Sequence, residues 1–163
     1  MSSNGKHIVF VYGTLKTGYR NHEVILNPRN GSAKFLDAAE TLFQYPLIVN
    51  SEFHVPLLLH FEGEGEHVEG ELYEVDDTML SSLDELEGHP HFYQRLVTKV
   101  KTLGKTSPTH VLECWVYFIT TYRQELLDLP RLRNYTDTVQ FKVPPEEKER
   151  RVAKIKLFIK GSN

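Results

Sequence analysis

The sequence predicts an α+β domain whose sheet curls into a barrel, and three observations predict it. Short runs rich in β-branched and aromatic residues recur along residues 7–120. One stretch, 76–87, breaks that rhythm with apolar residues at helical spacing. No regular alternation of strand and helix signals suggests a doubly wound parallel sheet.

The elements follow in order. Residues 7–12 (HIVFVY), between Gly5 and Gly13, read as a buried strand. Residues 13–22 (GTLKTGYRNH) are polar and glycine-punctuated, the signature of a loop that carries function. A helical turn or two over 19–26 would end before Pro28. Strands are expected at 33–41, 47–50, 55–60 and 67–75, with 62–66 (EGEGE) joining the last two.

The period then changes. Residues 76–87 (DDTMLSSLDELE) open on aspartates and place Met79, Leu80, Leu83 and Leu86 on one helical face. Gly88 and Pro90 stop that helix. Residues 93–103 and 110–120 form a hairpin through 105–109. Pro144 and Pro145 open a charged tail, 146–151. In 152–160, Ile155, Leu157 and Ile159 alternate with lysines, a pattern open between an edge strand and an amphipathic arm.

A chain of 163 residues fits one domain over 1–163, with its core at about 7–120 and a tail over 144–163. Forty per cent apolar and 25 % charged residues describe an ordinary globular chain rather than a disordered one. A net charge of −3 gives no electrostatic case for nucleic acid as partner. The single cysteine, Cys114, excludes an intramolecular disulfide and suits a reducing compartment. No apolar run nears the roughly 20 residues that span a bilayer. The short polar start, 1–6, reads as no signal peptide, so a cytoplasmic protein is expected.

One carboxylate stands out. Advancing ~100° per residue from Leu80 brings Glu87 into the sector of Met79, Leu83 and Leu86. Asp84 falls at the border of that sector and Glu85 points to solvent. Burial and the helix C-terminus would both raise the pKa of Glu87. Such a group suits a base that later returns its proton as an acid. The pattern alone leaves a second outcome open, in which the last turn frays and Glu87 meets solvent or pairs with Arg95.

The turn at Gly13 is a second candidate. Glycine there allows close approach of a ligand or a positive φ, and successive amides can cradle an anion. An ordinary strand-to-loop turn would look the same. No phosphate-binding loop signature is present. His89 and His91 flank Pro90 without the partners of a metal site, and His22, His54 and His60 are scattered. Ser81 and Ser82 lie in no nucleophile elbow. Cys114 reads as core, and Lys154, Lys156 and Lys160 as a solvated face.

An ordered series of short motifs resembles the γ-glutamylcyclotransferase-like (AIG2-like) superfamily, and its γ-glutamylamine branch most closely. It opens with 10–16 (FVYGTLK), then Asn21-His22, Tyr45-Pro46-Leu47, and Val55-Pro56 before Leu58-Leu59-His60. It continues through Val68-Glu69-Gly70-Glu71, Leu83-Asp84 with Glu87, and Tyr93-Gln94-Arg95. The series covers about 7–120; the tail after Tyr122 matches less well.

The resemblance implies a small mixed β-barrel with a few packed helices. It implies a substrate loop at Tyr12, Gly13, Thr14 and Leu15, and a catalytic glutamate at Glu87. It implies cyclisation of a γ-glutamyl amine, such as γ-glutamyl-ε-lysine, to 5-oxoproline with release of the amine. Neither metal nor cofactor is needed for that reaction, because the substrate carries its own nucleophile. The oxyanion donor stays open among Tyr12, Tyr117 and a loop amide. A monomer acting on a small molecule, with no membrane partner, is expected. The alternatives are a γ-glutamyl-binding module without turnover and an interaction module of the same fold.

Overall fold

The computed structural model describes residues 5–137 and 145–161. Its strands are β1 (His7–Val11), β2 (Ala33–Thr41), β3 (Leu47–Asn50), β4 (Val55–Leu58), β5 (Glu69–Val75), β6 (Gln94–Thr102) and β7 (Val111–Phe118). Its α-helices are α1 (His22–Leu26), α2 (Asp77–Glu87) and α3 (Pro145–Lys160). Short 3-10 turns cover Pro28–Asn30 and Gln124–Asp128.

Five strands close a barrel in the order β1-β5-β2-β6-β7. All pairs are antiparallel except the closing one, where β1 runs parallel to β7 with Val9 opposite Trp115. The expected mixed barrel is thus present. The hairpin of β3 and β4 stands outside it as a separate two-stranded sheet. It is tied on by Ile119 N–H donating to Leu58 O at 2.8 Å and His60 N–H to Ile119 O at 3.0 Å.

Strand alternation divides the apolar residues into two cores. Phe10, Ala39, Leu72, Val100 and Val116, one from each barrel strand, fill the barrel interior. Val9, Val11, Tyr73, Val75 and Tyr117 face outward instead and pack against the helices. From α2 come Met79, Leu80 and Leu83, each buried and contributing about 2 kcal/mol. Asp76 caps that helix by accepting from Met79 N–H at 2.8 Å, and Gly88 ends it at φ 68°.

Of the two readings left open for the tail, the edge strand is not realised. The C-terminal run is a helix, α3, and not an edge strand. The alternation of Ile155, Leu157 and Ile159 resembles a strand period, but burial follows a four-residue step. Ile155 and Ile159 are 3 % and 2 % exposed, whereas Leu157 is 55 % exposed. Arg123 fixes the end of α3: its Nε donates to Phe158 O and its backbone N–H to Ile159 O, both at 2.7 Å. Lys154, Lys156 and Lys160 are exposed, as expected. Among the described residues no helix is long and apolar enough to cross a membrane.

Candidate active site

β1 delivers the loop at the cavity. After Val11 the chain leaves the barrel, and Gly13, Thr14 and Leu15 line a cavity of about 390 Å³. The loop is held from behind. Lys16 is buried and its Nζ donates to Asn134 Oδ1 at 2.6 Å and Tyr135 O at 2.8 Å. Asn21 donates through its backbone N–H to Thr14 O at 3.0 Å and through Nδ2 to Thr14 Oγ1 at 2.9 Å. Lys16 N–H donates to Gly13 O at 3.1 Å. Among the described residues the N–H groups of Gly13, Thr14 and Leu15 make no hydrogen bond. Three neighbouring donors at a cavity wall suit an anion.

Of the two reasons expected for Gly13, a positive φ is not realised. A Cβ placed there would lie 2.5 Å from Cγ of Pro56. It is the proline, packed on the loop from β4, that excludes a side chain.

α2 brings Glu87 to the same cavity, together with Leu86. Glu87 is half-buried, and its carboxyl has no hydrogen bond or ion pair among the described residues. Burial pushes its pKa up to about 8. Asp84, one turn earlier, behaves oppositely. Burial acts to raise it, but hydrogen bonds from Arg95 and Tyr117 outweigh that and hold it below the usual carboxylate range. Arg95 is bidentate on it, Nε to Oδ1 at 2.8 Å and Nη2 to Oδ2 at 3.0 Å. The alternative in which Arg95 pairs with Glu87 is therefore not realised. Two carboxyls pushed apart in this way divide an acid/base role from a structural one.

Three phenols surround Glu87, and each hydroxyl proton is engaged. Tyr12 donates to Tyr117 O at 2.6 Å, Tyr93 to Pro56 O at 2.6 Å, and Tyr117 to Asp84 Oδ1 at 2.7 Å. Burial raises the pKa of all three, so they stay neutral.

The structure gathers Tyr12, Gly13, Thr14, Leu15 and Glu87 around one cavity. It adds Arg20, Tyr93 and Phe92, and one face of α3 through Lys148, Arg151, Val152 and Ile155. In the sequence the α3 residues are masked by the alternation of Ile155, Leu157 and Ile159, which suits a strand or an arm. Their spacing of three and four carries a helical signal that would have revealed them.

Comparison with known proteins follows the same lines. A family model described as "Gamma-glutamyl cyclotransferase, AIG2-like" matches residues 9–137. The chain is 48 % identical over 127 residues to Gamma-glutamylaminecyclotransferase of Bos taurus, covering 78 % of this chain and 74 % of that one. With the Homo sapiens protein of the same name it shares 42 % over 135 residues, covering 78 % and 88 %. The crystal structure of an AIG2-like protein from Mus musculus superposes with a TM-score of 0.78 at 35 % identity, covering 86 % of this chain and 98 % of that one.

Proposed function

The chain belongs to the gamma-glutamyl cyclotransferase, AIG2-like family, and from that membership we propose that it cyclises a γ-glutamyl amine to 5-oxoproline and frees the amine. The observation that carries this reading is the carboxyl of Glu87, raised to about 8 by burial and set in one cavity with three loop amides, none of these groups having a partner among the described residues.

The loop amides of Gly13, Thr14 and Leu15 hold the α-carboxylate of the glutamyl head. Tyr12 shapes the wall beside them. The substrate folds so that its α-nitrogen meets its own γ-carbonyl, an effect of proximity worth several kcal/mol. Glu87 takes a proton from the α-ammonium. The α-ammonium, beside its own carboxylate, titrates above a peptide amino terminus, and the raised pKa of Glu87 narrows the gap between donor and acceptor. The new bond joins the α-nitrogen to the γ-carbonyl carbon; the bond from that carbon to the leaving nitrogen breaks. Glu87 returns the proton to the leaving nitrogen; the second proton that the α-nitrogen sheds as the lactam forms also ends on the freed amine, which leaves as an ammonium, so no net proton is consumed or released.

The oxyanion needs a donor with a proton to give. Tyr12 and Tyr117 have committed theirs to Tyr117 O and Asp84. Two of the three loop amides suffice for the two oxygens of the α-carboxylate, and the third is the donor that this hydrogen bonding favours.

For the leaving group, Leu86, Phe92, Val55 and Pro56 give the cavity an apolar side. A methylene stem fits that side, whereas the peptide unit of a cysteinylglycine group would bury polar atoms unpaired. The curated relatives are named for γ-glutamylamines. We infer a single-domain cytoplasmic monomer acting on a small molecule, with neither nucleic acid nor membrane as partner. One competition decides the class: γ-glutamyl-ε-lysine and glutathione in the same tube, assayed for each and for 5-oxoproline. Preferential loss of γ-glutamyl-ε-lysine is expected. Faster loss of glutathione would refute the amine class, and no 5-oxoproline from either would refute cyclisation.

A further inference from the structure

The family match ends at Asp137, and α3 begins at Pro145, yet α3 forms part of the cavity wall. It turns Lys148, Arg151, Val152 and Ile155 toward the cavity, residues three, four and seven apart that share one helical face. Two are apolar and two are cationic. The helix is firmly seated, with Ile155 and Ile159 in the core and Arg123 on its last carbonyls.

The charges gather at one place. Arg151 Nη2 donates to Phe53 O at 3.2 Å, with its guanidinium 5.2 Å from the Phe53 ring centre. Arg20 reaches the same carbonyl at 3.4 Å through Nη2, and donates to His54 O at 2.6 Å. Arg20 is also paired with Asp137 at 3.4 Å. Burial, and then the nearness of Arg20, lower the pKa of Arg151. Lys148 lies one turn before it, exposed, and enters no ion pair among the described residues. Arg20, Arg151 and Lys148 thus line the cavity together; Asp137 lies outside the lining, paired to Arg20 and near Arg151, and the carboxyl within the lining, Glu87, is raised toward neutrality. An anion would relieve the mutual repulsion of these cations.

Resting on the cyclisation reading above, we propose that α3 reads the charge of the leaving amine: Arg151, helped by Lys148, receives a carboxylate at the far end of its methylene stem. The head of the substrate is already accounted for by the loop and Glu87, so these cations have no role in ring closure. The stem runs along Leu86, Phe92, Val152 and Ile155, apolar side chains of the same cavity. The favoured leaving group is then an amine with an aliphatic chain and a terminal carboxylate, in preference to a plain alkylamine or a diamine.

The test holds the head constant and changes the tail. γ-Glutamyl-aminohexanoate, whose tail ends in carboxylate, is compared with γ-glutamyl-hexylamine, which ends in methyl. The quantity read is the ratio of their kcat/KM values. A ratio of about ten or more is expected for the unaltered chain, the size of one hydrogen bond to a charged group. Arg151→Met should bring the ratio toward one, Arg151→Lys should restore part of it, and Lys148→Met should lower it less. Should Arg151→Met not fold, salt decides, because the ratio of the unaltered chain falls as ionic strength rises if the rim reads charge. A ratio unchanged by Arg151→Met, or one flat with salt, overturns the role of α3 alone. Absence of 5-oxoproline from both substrates overturns the cyclisation reading and this role with it.

Discussion

The Tyr117 hydroxyl donates to Asp84 Oδ1 at 2.7 Å, and Arg95 holds the same carboxylate with two further hydrogen bonds. This cluster ties α2 to β6 and β7 one turn before Glu87. Arg95 also stacks on Trp115, with its guanidinium carbon 4.3 Å from the ring centre. Glu87 can therefore stay unpaired because its neighbour, one turn earlier, takes up the nearby cation.

Glu87→Gln should abolish turnover while the fold persists. Loss of a positioned acid/base costs about 10²- to 10⁴-fold. Release of 5-oxoproline and thermal melting, measured side by side, check this, with Glu85→Gln as a near-silent control on the exposed side of α2. Activity within a few fold of the unaltered chain would remove Glu87 from the chemistry.

The raised pKa gives a signed pH dependence. Folded Glu87 keeps its proton up to about 8; unfolded, it loses it near ~4.3. Between those values the native state binds more protons than the unfolded one, so this group's contribution to stability is full below the lower value and is lost as pH rises through the upper one. Glu87→Gln should accordingly melt higher than the unaltered chain at pH 8 and almost equally at pH 4. In activity, the ionised form is the base, so kcat/KM should climb with pH along a limb centred near 8. A limb near the ordinary glutamate value would contradict the burial of this carboxyl.

Tyr117→Phe separates two oxyanion donors. The hydroxyl proton is given to Asp84, so its removal should lower kcat by less than about tenfold. Loss of a true oxyanion donor costs about 10²- to 10³-fold. A fall of that larger size would move the role from the loop amides to Tyr117.

Gly13→Ala should destabilise through Pro56. The added Cβ meets Cγ of the proline at 2.5 Å, and overpacking of this kind costs about 1–3 kcal/mol. The melting temperature should fall, and Pro56→Ala in the same chain should restore part of the loss. Absence of any such rescue would show that the glycine answers to something other than the proline.

Much of this arrangement could be read from the chain. The barrel strands announced themselves through β-branched runs, and α2 through the spacing of Met79, Leu80 and Leu83 with its aspartate cap. Glu87 was legible because it breaks the rule that a helix face against the core is apolar. What escaped depends on contacts between distant residues. The buried Lys16 reads as a surface lysine until Tyr135 O and Asn134 come to meet it. Gly13 reads as a flexible turn until Pro56 is laid on it. α3 was obscured by Ile155, Leu157 and Ile159, whose alternation satisfies a two-residue period although only the first and last are buried.

The parallel seam between β1 and β7 bears on kinetics. Val9 must wait for Trp115, more than a hundred residues later in the chain, and Phe10 for Leu72. Closing such large loops before any contact rewards them slows folding. The loop at Gly13 hangs directly from β1, so its three amides take their final positions only when the seam is sealed. Substrate binding should then return late in refolding, after the local hairpin of β6 and β7, which stopped-flow binding against β-sheet signal would check.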